Sequence, residues 1–294
     1  MEPFASVSAF SALLERRAPV DWARIAGRAR ALFIGECRDV LAGKKELVQN
    51  LRMLCTLGFT GMATDAWPSD AQGALDEFVL RGRGREDALA PLAAFPAEHR
   101  AALAELLDEV RRLNFTQTCR ARLLALEVTD YIRRRYMQEF RHRSALMREK
   151  KEEHMADVIA HFLKREPGAK VVALIPSVYA QTNHAPRRVE TVAGIETVSV
   201  RLIGGKRRFP GAAVRFQRIA EEAVRRAGLA SERFCIQLPP SRKGPFFDWL
   251  IHLPQTEKPS GTERSPLFVV SRWLHIALQE VRAIVSEPDN EERF

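Results

Sequence analysis

Two apolar runs on either side of an amphipathic segment constrain the fold of this chain most strongly. Residues 31–36 begin with four apolar side chains and break at a glycine, which is typical of an interior strand of a parallel sheet. The spacing of the leucines predicts a helix over residues 43–57, and Gly58 follows where a helix-ending glycine is expected. A second strand is predicted at residues 59–65. A strand–helix–strand unit of this kind indicates an α/β fold.

Further segments with the character of strands extend this unit towards the C-terminus. They lie at residues 170–175, 194–203, 234–238 and 246–253, and other helices are predicted within 5–30 and at 216–227 and 273–285. We therefore predict an α/β protein with a mostly parallel central sheet and flanking helices.

A long helical stretch interrupts the strands. Between residues 70 and 161, apolar residues recur at helical spacing in two stripes, one from Leu103 to Leu113 and the other formed by Leu123, Leu126, Ile132 and Tyr136. We predict that residues 70–161 form an inserted helical subdomain and that residues 1–69 and 162–294 form the α/β core. The whole chain is expected to be one continuous globular unit.

Composition excludes several classes of protein. Hydrophobic residues make up 46% of the 294, which is enough for a sizeable core and excludes a disordered chain. No apolar run of about 18 residues predicts a transmembrane helix, and no signal peptide is evident, so no membrane partner is expected. The four cysteines lack zinc spacing, which predicts reduced thiols in a cytoplasmic protein; they are Cys37, Cys55, Cys119 and Cys235.

The net charge permits an anionic partner. Lysine and arginine total 46 against 37 aspartate and glutamate, a formal charge of +9. Basic residues cluster at 133–135, 141–143 and 148–151, but acidic residues interleave and no nucleic-acid-binding module is present. A charged helix surface is therefore favoured over nucleic-acid binding, and a protein partner is left open.

Familiar cofactor and nucleophile motifs are missing. No glycine-rich phosphate loop follows a strand, and no Gly-x-Ser-x-Gly elbow occurs. His154 and His161 are too far apart on one helix to share a metal ion, so a solvated helix face is favoured for them. We predict no cofactor and no metal site.

Two carboxylates follow the first two strands. In an open α/β sheet, ligands bind in the crevice beyond the carboxyl ends of the strands. Glu36 lies there and is either a general base or the partner of Arg38 or Lys44. Asp65 ends the second strand and either meets Glu36 over neighbouring strand ends or caps the next helix.

Several short segments occur in a recognisable order between about residues 30 and 270. Residues 32–38, Leu-Phe-Ile-Gly-Glu-Cys-Arg, are similar to an opening strand with a Gly-Glu-x-His motif, and residues 151–156 are similar to an Arg-Asp-x-x-Met-Ala helix. Residues 167–172 and 247–251 match later strands. Together these segments resemble the erythromycin esterase-like superfamily, which also includes haem-uptake ChaN-like proteins. The resemblance implies a glutamate and histidines that activate water on an ester or lactone.

The chain departs from the family at the histidines. Arg38 occupies the neighbourhood of the first histidine, and Asp65 stands for the second acid. The family's His-Asn-x-His falls on residues 176–179, Pro-Ser-Val-Tyr, and His184 lies five residues downstream. Because arginine stays protonated and a general base contributes about 10²–10⁴ in rate, hydrolysis should be nearly extinguished unless His184 substitutes.

The resemblance and the departures together define the functional hypothesis. We predict a diverged erythromycin esterase-like protein with a strand-end pocket for a small molecule, compatible with an anionic one, whose ester or lactone hydrolysis is altered or lost. Two alternatives are an active ester hydrolase and a pseudoenzyme that binds a small molecule, haem or a protein. The catalytic candidates are Glu36, Asp65 and His184, and the ligand-binding candidates are Arg38, Cys37, Tyr179 and Lys151.

Overall fold

A seven-stranded sheet forms the centre of the computed structural model, which describes residues 6–36, 41–129, 131–132, 135, 144–204, 212–239 and 247–254. The strands are β1 (Ala31–Glu36), β2 (Phe59–Pro68), β3 (Arg122–Glu127), β4 (Lys170–Pro176), β5 (Thr197–Ile203), β6 (Phe234–Gln237) and β7 (Trp249–His252). Their order in the sheet is β3-β2-β4-β1-β5-β7-β6. All the pairings are parallel except that between β6 and β7. This confirms the predicted α/β class.

Helices cover both faces of the sheet. In β1, Leu32 and Ile34 pack into one hydrophobic core and Ala31 and Phe33 into the other, as the alternation of a strand requires. The helices are α1 (Val7–Leu14), α2 (Trp22–Ala26), α3 (Leu41–Thr56), α4 (Gln72–Arg81), α5 (Arg85–Leu89), α6 (Ala97–Phe115), α7 (Ser144–Arg165), α8 (Ala185–Ala193) and α9 (Ala212–Arg226). One face of the sheet, which we call the α3 face, is covered by α2 to α6, and the other, the α7 face, by α1, α7, α8 and α9.

The structure corrects the second predicted helical stripe. Leu123 and Leu126 lie in β3, which pairs with β2 from Gly61–Arg122 to Thr64–Ala125. A spacing of three fits a helix, but it also occurs in a strand that is buried on both faces and therefore shows no alternation. Residues 70–161 thus supply an edge strand of the sheet as well as helices.

The last predicted helix, at 273–285, lies outside the described residues. The described residues all belong to one compact unit, residues 1–255. In the described ranges, no helix combines the length and apolar character needed to span a membrane.

Arg30 ties the start of β1 to the end of α7. Its guanidinium donates hydrogen bonds to the carbonyl groups of Leu163, Glu166 and Ala169, at 3.1–3.3 Å. These carbonyls belong to the last turn of α7 and the turn after it, where backbone acceptors lack partners within the helix. The Arg30 side chain therefore ties the end of α7 to the start of the central strand, in addition to the apolar packing of the helix.

Both outer edges of the sheet are covered. The backbone of Ala18 pairs with that of Cys235 on β6, with N–O distances of 2.9 and 2.8 Å. At the other edge, the side-chain amide of Gln72 donates to the Leu123 carbonyl at 2.8 Å and accepts from the Ala125 N–H at 2.9 Å. The amide of Gln72 thus takes the place of a neighbouring strand along part of β3.

A disulfide joins α3 to the loop after α6. It links Cys55 to Cys119, whose Cα atoms are 5.9 Å apart. The prediction of reduced thiols is therefore wrong for this pair. Cys235 is a free, buried thiol.

Candidate functional site

The two predicted carboxylates do not lie on neighbouring strands. Glu36 ends β1 and is in register with Pro176 of β4. Asp65 lies in β2, and the residue before it, Thr64, pairs with Leu174 of β4. Because β4 separates β1 from β2, the expected meeting over adjacent strand ends is wrong. Asp65 is also inside the strand rather than at a helix N-cap, since β2 extends to Pro68. Strand order in a parallel sheet depends on crossovers, which the local sequence does not encode.

The carboxylates also face opposite sides of the sheet. Glu36 points to the α3 face, where its Oε1 accepts a hydrogen bond from Lys44 Nζ at 2.7 Å. Gly43 leaves room for it, because a Cβ there would lie 2.7 Å from Glu36 Oε2. Asp65 points to the α7 face, where its Oδ2 lies 3.6 Å from Lys151 Nζ. The two carboxylates therefore lie on opposite sides of the sheet, an arrangement that works against their sharing one water.

Glu36 and Lys44 form a buried ion pair. Their side chains are only 4% and 3% exposed. Of the roles considered for Glu36, the structure shows the ion pair with Lys44. Because both charges are buried, the carboxylate is needed to balance the ammonium, and this favours a structural role for Glu36 over that of a base.

Four side chains meet on the α7 face, and we call them the strand-end cluster: Asp65, Glu127, Lys151 and Tyr179. Lys151 Nζ contacts both carboxylates, donating a hydrogen bond to Glu127, and lies 5.9 Å from the ring centroid of Tyr179. Glu127 was not predicted as a site residue, because it ends β3 and the sequence pattern of this segment predicted a helix. The cluster gathers residues from the carboxyl ends of β2 and β3, from the loop after β4 and from α7.

Tyr179 is the neutral member of this cluster. Burial raises the pKa of its phenol to about 12, and the carboxylates of Glu127 and Asp65 act in the same direction. At neutral pH the hydroxyl is therefore protonated and able to donate a hydrogen bond. Tyr179 stands where the resemblance placed the second histidine, and it cannot act as that base.

His184 lies on the same side of the sheet but has a different partner. It precedes α8, and its Nδ1 is 2.7 Å from Glu152 Oε2. The other oxygen of Glu152 accepts a bond from Arg188 Nε at 3.1 Å. Glu152 follows Lys151 on α7, so that His184 lies beside the strand-end cluster rather than within it. Sequence reasoning missed α8, Glu152 and Arg188; Pro186 in its first turn was the available signal.

His154 contradicts the predicted solvated face of α7. It is half-buried, and burial lowers the pKa of its imidazole despite the nearby carboxylates. His161 is exposed, as predicted.

The predicted ligand-binding residues Cys37 and Arg38 lie outside the described residues. No group of three or more potential metal ligands occurs among the residues that the structure describes.

Comparison with known proteins gives structural neighbours and no sequence relative. No family model matches the chain, and no curated protein matches it. A succinoglycan biosynthesis protein has 12% identity and a TM-score of 0.52, over 83% of this chain and 95% of its own. At such low identity, this likeness shows the fold alone.

Two further neighbours belong to the groups named by the sequence resemblance. An erythromycin esterase, EreC, in its open conformation has 9% identity and a TM-score of 0.48, over 81% of this chain and 93% of its own. The haem-binding ChaN of Campylobacter jejuni has 12% identity and a TM-score of 0.41, over 76% of this chain and 87% of its own. Neither score supports a functional argument.

Proposed function

We propose that this chain is a diverged erythromycin esterase-like protein that binds a small molecule at the strand-end cluster and has lost ester hydrolysis. One observation carries the proposal. Glu36 is bound to Lys44 on the α3 face, whereas Asp65 contacts Lys151 on the α7 face. A hydrolytic site needs acid and base groups within hydrogen-bond reach of one water, and these two carboxylates are on opposite faces.

The cluster has the chemistry of a binding site for an oxygen-bearing ligand. The protonated hydroxyl of Tyr179 is a hydrogen-bond donor, and the Lys151 ammonium is a fixed positive charge held between two carboxylates. A neutral carbonyl oxygen on the ligand matches both groups, whereas the two carboxylates of the cluster repel a ligand carboxylate. We therefore expect esters or lactones to bind without being turned over, and their acid products to bind more weakly.

Hydrolysis of simple esters and macrolactones, including erythromycin, tests the loss of activity. We expect no turnover above background for the wild type or for Glu36→Gln. Turnover by the wild type would contradict the proposal, and its disappearance in a Glu36→Gln variant whose unfolding temperature shows it to be folded would place Glu36 in the chemistry.

Binding is tested with the same compounds and their hydrolysed acids, measured as a ligand-dependent rise in the unfolding temperature. We expect Tyr179→Phe to reduce the rise given by any binder, because it removes only the donor hydroxyl. Tyr131→Phe is the matched control, since Tyr131 is 74% exposed. Equal rises in both variants would show that the ligand binds elsewhere.

A specific contact favours a second candidate, an active hydrolase centred on His184. A carboxylate bonded to Nδ1 orients a histidine for work at Nε2, and Glu152 is bonded to Nδ1 of His184. In this alternative His184→Asn abolishes ester turnover, whereas Glu36→Gln leaves it intact. The two variants therefore separate this candidate from a hydrolase that uses Glu36.

Haem binding through Tyr179 is the least compatible alternative. A tyrosine bound to ferric iron is a phenolate, and the surroundings of Tyr179 raise its pKa to about 12. We expect no tyrosinate-type Soret band on incubation with haemin at neutral pH. A band that is lost in Tyr179→Phe would restore haem as the ligand.

A further inference from the structure

His154 lies next to the strand-end cluster and is tied to it through one residue of β3. It follows Lys151 by about one turn of α7, and its imidazole is half-buried. The backbone of Glu127, which ends β3, hydrogen-bonds to this imidazole. The carboxylate of the same glutamate accepts a hydrogen bond from Lys151. Glu127 therefore contacts the histidine through its main chain and the lysine through its side chain.

One nitrogen of this imidazole is shut away from water. The Nε2 atom of His154 is buried and makes no hydrogen bond with any group that the structure describes. A neutral ring can leave this atom as a bare acceptor, but an imidazolium carries a proton on both nitrogens. Protonation therefore creates a positive charge and a buried N–H donor where no acceptor stands. Because Nε2 is closed to solvent, this arrangement fits a response to pH better than a base that acts on a ligand.

The charges that act on the imidazole come from β3 and from α7 itself. Burial lowers the pKa of His154 and outweighs the carboxylates of Glu127 on β3 and Asp157 on α7, which raise it. The Lys151 ammonium lowers the pKa further. Asp157 is exposed, so solvent and salt screen its charge, whereas the Glu127 carboxylate is already bonded to Lys151. The imidazolium and the Lys151 ammonium therefore compete for the carboxylate of Glu127.

We infer that His154 makes the strand-end cluster sensitive to pH: on protonation, the imidazolium takes the Glu127 carboxylate as its acceptor and Lys151 is released. Lys151 then keeps only its contact with Asp65, at 3.6 Å, and no longer presents a fixed charge beside Tyr179. The inference rests on the proposed function for its consequence alone, which is that the site holds a carbonyl ligand at neutral pH and releases it in acid.

Acetylation of Lys151 measures its release without any ligand. A short pulse of acetic anhydride, followed by peptide mass spectrometry, gives the labelling of Lys151 relative to that of Lys164, an exposed lysine on the same helix. This ratio cancels the common effect of pH on the reactivity of amines. From about pH 7.5 to about pH 5, which spans the ordinary histidine pKa of about 6.5, we expect the ratio to rise by about two- to fivefold, the range for loss of a partly exposed ion pair.

Two histidine variants of the same helix form a matched pair. His154→Gln should keep the ratio constant, because glutamine does not titrate. His161→Gln removes an exposed histidine of α7 and should retain the full rise. Glu127→Gln provides a second test that does not alter His154: it removes the shared carboxylate, so the ratio should already be raised at neutral pH and should not change in acid. Unfolding temperatures at both pH values confirm that each variant is folded.

The labelling result is independent of whether a ligand binds. A ratio that stays constant in the wild type, or that rises equally in His154→Gln, would overturn the inference and would leave the proposed function untouched, since that is judged by ligand binding at neutral pH. For any ester or lactone that binds, the affinity of the wild type should fall on acidification, whereas that of His154→Gln should not. An equal fall in both proteins would show that His154 does not control the site.

Discussion

The burial of Glu36 and Lys44 makes the protein sensitive to the loss of either charge. Each side chain is almost fully removed from water, and they meet at 2.7 Å. Removal of one partner takes this counterion away from the other buried charge, whereas removal of both leaves neither charge. The pair is therefore expected to matter more for stability than for chemistry.

We expect Lys44→Met to lower the free energy of unfolding by about 3–5 kcal/mol, since it leaves Glu36 buried without its ammonium. The double variant with Glu36→Gln should recover much of that loss. The coupling free energy between the two side chains is obtained by urea denaturation of four proteins: the wild type, each single variant and the double variant. Strictly additive losses would mean that the two side chains do not act as a pair.

Tyr179 predicts a loss of stability at alkaline pH. Its folded pKa of about 12 lies above the unfolded value of about 10. The stabilisation is complete below pH 10 and is lost between pH 10 and 12, because the unfolded chain releases the proton first. The full effect is roughly 2–3 kcal/mol.

Phenolate absorbance measures this titration directly. The difference between the wild type and Tyr179→Phe should show one tyrosine that ionises near pH 12. The Tyr131→Phe variant should still show the ionisation near pH 12. A difference spectrum with a midpoint near pH 10 would show that Tyr179 is accessible to solvent.

At the scale of the elements, the contact of Arg30 with α7 allows a matched test. Arg30→Ala removes the donor from three carbonyl groups at the end of α7, and we expect a loss of about 1.5–3 kcal/mol in the free energy of unfolding. Arg28→Ala, at an exposed position two residues earlier, should have little effect. Similar losses in both variants would mean that the effect does not come from the hydrogen bonds of Arg30 to the end of α7.

Elements with strong local signals could be predicted from the sequence. The apolar run of β1 and the glycine that ends α3 gave boundaries within two residues of those observed. The strand β3 was missed because burial on both faces removes the alternation that identifies a strand. Helix α8 was missed although Pro186 lies in its first turn, a position that proline favours.

The candidate site was only partly accessible to the same reasoning. Asp65, Lys151 and Tyr179 were singled out, and the fold brings them together. Glu127 was not, because its position depends on β3. The separation of Glu36 from Asp65 follows from strand order and from the face that each side chain takes, and both are properties of the assembled sheet.

At the scale of the whole molecule, the disulfide links segments 64 residues apart. We expect reduction in denaturant to add two thiols to the number that reacts with a thiol reagent. The variant Cys55→Ser with Cys119→Ser should show no such increase. An unchanged thiol count in the wild type would mean that all four cysteines are reduced, as the sequence alone suggested.

The coverage of the two sheet edges also has a consequence for how copies of this chain meet one another. An open edge strand offers unpaired backbone groups to a second molecule and is the usual starting point for fibril growth. Here Ala18 occupies backbone groups of β6, and the amide of Gln72 occupies those of β3. Strand addition between copies is therefore obstructed at these positions of the two edge strands, by a short N-terminal segment on β6 and by one side chain on β3.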